Sequence, residues 1–280
     1  MTNLIHIAKH IAFLGGGNMA SAIATGLIKN GGYTLSVADP HADTAAAWHA
    51  KFNVPATHCA TTPNAAWQSA EAIVLAVKPQ QFAEAAAALA PHIAPNTLII
   101  SVMAGIPVAA IARALGIDAA RIVRTMPNTP ARIGLGITGL FAAANTTSNH
   151  KALAQVVLSS VGETVWVDEE ILLDAVTALS GSGPAYVFYV AQAMTEAGVS
   201  LGLSTLQSRQ LALATLRGAA TLAHVAPAES LEELRAQVTS KGGTTHAAMM
   251  SLEANAVRAH FAEAMQAAFD RAGELGAQYG

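Results

Sequence analysis

The sequence predicts an α/β protein in two parts: a doubly wound, mainly parallel sheet over residues 1–167, then an all-α segment over residues 168–280. Three observations predict it. Short apolar runs alternate with helical periodicity from Ile11 to Val167, the pattern of strands buried on both faces and joined by crossover helices. A glycine turn, Gly15-Gly16-Gly17, stands between the first apolar run and the first amphipathic helix. Beyond Val167 no strand signal remains, and the periodicity is helical.

The first unit pairs the strand Ile11–Leu14 with a helix whose apolar face carries Ala20, Ile23, Ala24, Leu27 and Ile28. Between them, Gly15 permits a tight turn, Gly17 lets the backbone approach a pyrophosphate, and Ala20 keeps the helix close to the strand. This is the G-x-G-x-x-A form of the dinucleotide fingerprint of Rossmann domains. The free amides and the positive end of the helix dipole would face the anion. The plainer reading is a glycine turn with no ligand.

A second strand, Tyr33–Ala38, ends at Asp39-Pro40, about two dozen residues beyond Gly15. A carboxylate there either accepts hydrogen bonds from an adenosine ribose, favouring NAD, or only starts the turn with Pro40. No arginine stands between Asp39 and Ala50 to hold a 2′-phosphate. The third unit is a short strand at 56–59, followed by Thr61-Thr62-Pro63-Asn64 opening a helix.

The fourth strand, Ala72–Val77, stops at Lys78-Pro79-Gln80. Ligands of an open parallel sheet lie outside the carboxyl ends of its strands, which puts Ala76, Val77, Lys78 and Pro79 beside a cofactor, although Lys78 is equally readable as a solvated turn residue. An Ala-rich helix, Ala83–Leu89, precedes the fifth strand, Leu98–Val102. That strand ends in Met103-Ala104-Gly105, small enough at Ala104 to leave room for a nicotinamide ring. A sixth strand, Arg121–Thr125, runs into Met126-Pro127-Asn128-Thr129-Pro130, a loop stiffened by two prolines. Two further strands, Ile137–Phe141 and Thr164–Val167, flank a helix over Ser148–Ser159.

In the helical part, Leu172, Val176 and Leu179 lead to Ser180-Gly181-Ser182-Gly183-Pro184 and an apolar helix, Ala185–Thr195. Pro184 near a helix start needs no amide partner. An interrupted helix that is hydrophobic on every side is expected to be buried between chains. Helices over Thr205–His224 and Leu231–Val238 follow. Val238-Thr239-Ser240-Lys241-Gly242-Gly243-Thr244-Thr245-His246 then opens a helix over Ala247–Glu253. Bare amides and hydroxyls make it either a carboxylate cradle or an N-cap after a glycine hinge.

Composition narrows the function classes. Only 12% of residues are charged while 52% are hydrophobic, so substantial surface is expected to be buried between subunits. A net charge of -3 with no dense Lys/Arg block argues against nucleic acid or an anionic membrane as partner. The single cysteine, Cys59, allows no intrachain disulfide and reads as a small buried hydrophobe. The ten histidines form no metal-binding pattern, so no metal is expected, and His6, His10 and His41 read as surface residues. No secretory signal is discerned, and the long uncharged stretches are interrupted by Pro91, Pro95, Pro107 and Gly181–Pro184, so no membrane span and a cytoplasmic location are expected.

Five of these segments, in order along almost the whole chain, resemble the pyrroline-5-carboxylate reductase family: Phe13–Ala20, Ala76–Pro79, Met126–Pro130, Leu179–Tyr186 and Thr239–Thr245. The resemblance implies reduction of the cyclic imine Δ1-pyrroline-5-carboxylate to L-proline. It implies NADPH as hydride donor, with NADH possible because of Asp39, and a homodimer through the helical domain, extending in some members to a ring of dimers. Carried over motif by motif, Gly15, Gly17, Asn18 and Met19 would hold the pyrophosphate, Asn64 the adenosine, and Ala76, Lys78 and Pro79 the nicotinamide side. Amides of Gly242, Gly243 and Thr244 would bind the substrate carboxylate, and Val238 and Ser240 would line that pocket. Ser182, Gly183 and Pro184, with Gly181, would wall it at a dimer interface, and Thr245, hydrogen-bonded near the ring nitrogen, is the catalytic candidate. Two residues depart from the pattern of some relatives, Asp39 and Lys241. Two alternatives remain: a non-catalytic NAD(P)-binding sensor, and a β-hydroxyacid dehydrogenase, whose catalytic helix lysine has no counterpart between Lys151 and Lys241.

Overall fold

The computed structural model describes residues 8–279, and His6 lies outside them. The strands are β1 (Lys9–Leu14), β2 (Tyr33–Ala38), β3 (Cys59–Ala60), β4 (Ala72–Leu75), β5 (Leu98–Ser101), β6 (Ile122–Met126), β7 (Gly136–Ala142) and β8 (Gly162–Trp166). They form one sheet in the order β3-β2-β1-β4-β5-β6-β7-β8. All neighbours run parallel except β6 and β7. The order reverses direction between β1 and β4, and there the crossover connections leave a crevice at the carboxyl ends of the strands.

The helices of this region are α1 (Asn18–Asn30), α2 (Ala42–Phe52), α3 (Phe82–Leu89), α4 (Val108–Leu115), α5 (Ser148–Ser159) and the short α6 (Leu172–Val176). The pleat explains how they divide. Alternate strand residues face opposite ways. Ile11, Phe13, Val74, Leu98 and Ile100 therefore pack on one face with Ile23 and Leu27 of α1, Trp48 and Phe52 of α2, and Leu153 and Val157 of α5. Ala12, Leu14, Ile73, Leu75 and Ile99 pack on the other with Phe82 and Leu89 of α3 and Ile111 and Leu115 of α4.

Sequence and structure differ at several places. The strand β1 begins at Lys9, two residues before the apolar run, and so places His10 inside the sheet rather than on the surface. His10 is buried because both ring nitrogens find hydroxyls, Nδ1 with Ser69 Oγ at 2.8 Å and Nε2 with Ser36 Oγ at 2.7 Å, and the ring stacks on His58. His41 is exposed, as expected. The stretch after Asn64 is a single 3₁₀ turn, Ala65–Ser69, not a helix. The strand β4 ends at Leu75, which leaves Ala76 and Val77 in the loop. Helices α2 and α4 lie where the sequence reading assigns none. Cys59 sits half-buried in β3 against the core, and burial pushes its thiol pKa up.

After α6 comes one wide π-type turn, Thr177–Gly181, closed by Ser182 N–H donating to Thr177 O at 2.8 Å. The remaining helices are α7 (Gly183–Ser200), α8 (Thr205–Val225), α9 (Leu231–Gln237), α10 (Thr244–Ala254) and α11 (Val257–Tyr279). Gly183–Ala267 forms a second compact unit, and the rest of the chain, including the end of α11 from Ala268, belongs to the first. The division thus falls after Ser182, later than the change in periodicity at Val167. In the first unit, Gly105 O lies 3.3 Å from where a Cβ on Gly276 would stand, so the end of α11 rests on the loop after β5.

The second unit has almost no interior of its own. Its helices α7 and α8 pack together, capped at Ser204 by a reciprocal Ser–Gln box. Ala191, Ser208 and Ala212 are buried, whereas Phe188, Tyr189, Leu206 and Leu231 are each more than 60% exposed. A surface of that kind needs a cover.

Candidate active site

In the first unit, the carboxyl ends of β1 and β4 face the crevice where strand order reverses. Gly15 has φ +95°, and a Cβ there would meet Ala76 O at 2.7 Å, so both backbone conformation and the approach of the loop after β4 require glycine. Ala76 N–H donates to Leu14 O at 2.8 Å and ties the two loops together.

Gly16 is held from two sides by side chains. Its N–H donates to Asp39 Oδ2 at 2.8 Å, and its carbonyl accepts Trp48 Nε1–H at 3.0 Å. Asp39, 9% exposed at the end of β2, also accepts His41 N–H on Oδ1 at 3.0 Å, with His41 Nδ1 3.1 Å from the same oxygen. Asp39 therefore does make the turn expected with Pro40, and it adds a clamp on the glycine loop that sequence reasoning missed. Trp48 was also missed. Its signal lay in α2, where Thr44 and Trp48 stand one helical turn apart and both come within 3 Å of a Cβ placed on Gly16.

Gly17 is the N-cap of α1, exposed, with open space where its side chain would be and no side-chain cap on the helix. Asn18 and Met19 follow as the first helical residues. An uncapped, accessible start to a 13-residue helix beside a fixed glycine turn suits a pyrophosphate. Asn64 stands beyond the end of β3, where its Oδ1 accepts Ala66 N–H at 3.0 Å as a cap. Val77 and Pro79 are half-buried and Lys78 exposed in the loop after β4. Ala104 is half-buried in the loop after β5, which Ser101 steadies by accepting Met103 N–H on Oγ at 3.3 Å.

Below this loop lies a charged cluster that the sequence did not disclose. Arg124 of β6 reaches Glu170 Oε1 at 3.1 Å and Asp174 Oδ1 at 3.5 Å, and Glu170 Oε1 also accepts Val108 N–H at 2.8 Å, the first amide of α4. Burial raises the Asp174 pKa against the opposing pull of Arg124. The loop Met126–Pro130 also makes a contact: Asn128 Nδ2–H donates to Ser180 O at 3.2 Å, and Asn128 Oδ1 accepts Ile137 N–H at 3.0 Å. Ser182 ends the turn that Asn128 touches.

In the second unit, Gly183 and Pro184 open α7, and Gly243 is the N-cap of the 11-residue α10. No side chain caps α10, and Gly242 at φ +78° turns the chain into it with open space around its Cα. Gly243 N–H donates to Ser240 O at 3.0 Å within the turn. Ala247 N–H donates to Gly243 O at 3.1 Å, so the amides presented at the helix start are those of Thr244, Thr245 and His246, while that of Gly243 is engaged within the turn. A Cβ on Gly243 would meet Ser240 Oγ at 2.6 Å, so Ser240 lies over this turn, while Val238 just before it is exposed. Among the described residues, no group of three or more His, Cys, Asp or Glu could hold a metal, and no helix is long and apolar enough to cross a membrane.

Comparison with known proteins accords with this arrangement. Residues 170–275 match the family model for pyrroline-5-carboxylate reductase dimerisation, and residues 10–105 match that for NADP oxidoreductase, coenzyme F420-dependent. The chain is 42% identical over 272 residues to the pyrroline-5-carboxylate reductase of Pseudomonas aeruginosa, covering 96% of this chain and 98% of that protein. It is 41% identical over 271 residues to that of Haemophilus influenzae, covering 95% and 97%. The solved reductase from Coxiella burnetii superposes with a TM-score of 0.88 at 38% identity, covering 96% of this chain and 98% of that one. That from Plasmodium falciparum, solved with NADP bound, gives 0.80 at 28%, covering 96% and 99%. Neither the sensor nor the β-hydroxyacid dehydrogenase alternative draws support from these relatives. With its glycine turn, its strand order and both signature loops accounted for along nearly the full length, the chain belongs to the pyrroline-5-carboxylate reductase family.

Proposed function

We propose that the protein reduces Δ1-pyrroline-5-carboxylate to L-proline, the last step of proline biosynthesis. The observation that carries this reading is the presence of two helix starts that have a glycine N-cap and no side-chain cap, in different surroundings. The start of α1, beside a rigid glycine turn, suits the pyrophosphate of a dinucleotide, and the start of α10, beside threonine hydroxyls, suits a carboxylate. A protein that only sensed the nucleotide would have no need of the second.

In this reading the bound cofactor supplies the hydride for the imine carbon. Gly15, Gly17, Asn18 and Met19 hold its pyrophosphate, Asp39 and Asn64 its adenosine end, and Ala76, Val77, Lys78, Pro79 and Ala104 its nicotinamide end. The fixed carboxylate of Asp39 disfavours a 2′-phosphate, whereas the Plasmodium relative binds NADP. NADPH is therefore assigned as donor, with NADH accepted. Thr244 and Thr245 amides bind the substrate carboxylate, with Gly242 and Gly243 shaping the turn and Val238 and Ser240 lining it. The Thr245 hydroxyl hydrogen-bonds at the ring nitrogen, which arrives already protonated and keeps that proton as the product's N–H when the hydride adds to carbon, and Ser182, Gly183 and Pro184 wall the pocket. Since hydride transfer demands orientation more than acid strength, the protein's main contribution is to hold two rings in register. The substrate domain is taken as 168–280, the assembly as a homodimer that can build larger rings, and the location as cytoplasmic.

Purified protein is expected to oxidise NADPH, and NADH at a comparable or lower rate, when given pyrroline-5-carboxylate. Thr245→Ala is expected to lower kcat by about 10- to 100-fold with the cofactor KM nearly unchanged. Absence of turnover with either cofactor would overturn the reading, and an equal loss in kcat and cofactor affinity would remove Thr245 from its role.

A further inference from the structure

The stretch Met126–Pro130 does more than end β6. Its Asn128 is buried, and its side-chain amide spans two elements, with Oδ1 accepting Ile137 N–H at 3.0 Å and Nδ2–H donating to Ser180 O at 3.2 Å. A backbone N–H can only donate, so Ile137 fixes which way the Asn128 amide faces and leaves Nδ2 toward Ser180. The π-type turn ends at Gly181, and in the α-helical register of α7 that follows it the Ser180 carbonyl would accept from residue 184. That residue is Pro184, which has no N–H. The Ser180 hydroxyl does not help, since it donates to Val176 O at 3.0 Å. Met126 presses on the same turn: a Cβ on Gly181 would meet Met126 Cε at 2.6 Å, so the turn lies directly against the end of β6.

We propose that Asn128 is a positioning residue for the substrate wall: its side-chain N–H replaces the amide that Pro184 lacks and holds Ser180-Gly181-Ser182 against the carboxyl end of β6. Two motifs far apart in the sequence thereby form one device. The inference rests on the reading of Ser182 as part of the substrate pocket. Asn128 touches neither substrate nor cofactor in it, and acts through the turn it holds.

Asn128→Asp keeps the acceptor for Ile137 and removes the donor to Ser180. It is expected to raise the KM for pyrroline-5-carboxylate by about tenfold, the effect of one lost buried hydrogen bond, and to leave the KM of the nicotinamide cofactor within about twofold. Pro184→Ala restores an N–H at residue 184, so on that background Asn128→Ala is expected to raise the substrate KM by no more than about threefold over Pro184→Ala alone. This second pair decides the matter if Asn128→Asp fails to fold. Hydrogen exchange at the Gly181 and Ser182 amides is expected to quicken in Asn128→Asp whether or not the protein turns over. An unmoved substrate KM, a joint rise in both KM values, an Asn128→Ala effect independent of Pro184, or unchanged exchange would each overturn the proposal. Failure of the native protein to reduce pyrroline-5-carboxylate, with exchange still quickened, would overturn the functional reading instead.

Discussion

His10 shows what a single residue can impose on the chain. Burial, then the neighbouring His58, lowers its pKa from 6.5 to about 4, because a charged ring would be poorly solvated among Ser36, Ser69 and His58. The folded state therefore binds fewer protons than the unfolded chain between those values. The contribution of neutral His10 is complete above pH 6.5 and is lost as pH falls toward about 4. Chemical denaturation at pH 7.5, 6 and 5 is expected to show this fall, and His10→Gln, which cannot charge, to flatten it. An identical slope in the variant would place the acid sensitivity elsewhere. His10 was misread from sequence because a lone histidine two residues upstream of an apolar run gives no sign that two serines, distant in the chain, will meet its nitrogens.

Among the elements, the start of α4 depends on charges from elsewhere. Its first amide, Val108 N–H, is satisfied by Glu170, which Arg124 anchors while also reaching Asp174. Removing the arginine strands two carboxylates, one of them well buried, whereas removing Glu170 leaves Arg124 with Asp174. Arg124→Ala is accordingly expected to cost about 3–5 kcal/mol and Glu170→Ala less, as measured by urea denaturation. Equal costs would mean that the cap on α4, and not the ion pairing, carries the effect. None of this was legible in the sequence. Arg124 stands 46 residues before Glu170, with Asp174 one helical turn further on, and the helix they support was not assigned. The apolar runs within β1, β4 and β5 (residues 11–14, 72–75 and 98–100), in contrast, were plain in the chain, since a strand segment buried on both faces reads as a continuous apolar stretch.

Considered as a whole, the molecule carries most of its exposed large apolar side chains, among the described residues, in the second unit, on helices that bury few residues of their own. Residues 170–275 match a dimerisation family model, so a second copy of the chain is expected to cover that surface. Phe188 and Leu206, 67% and 75% exposed, are placed to report it. Phe188→Asp combined with Leu206→Asp is expected to shift the protein toward monomer in sedimentation velocity at micromolar concentration, weakening association by at least about tenfold, because two charges would be desolvated in an apolar contact. An unchanged sedimentation coefficient would move the interface to another face of these helices.

The sequence by itself determined the class of fold, the glycine turn, the strand ends that face the crevice, and the two signature loops, since periodicity and glycine placement are local properties of a chain. It also indicated the hydrophobic excess that association must cover. Tertiary structure alone decided which groups are already engaged across the chain: Asp39 and Trp48 on Gly16, and Asn128 on Ser180. It also decided that β7 turns antiparallel and that α11 comes back to the first unit. The physical reason is that a hydrogen bond between residues far apart leaves no periodic trace. Whether an amide is free for a ligand depends on neighbours that only the folded chain brings within 3 Å.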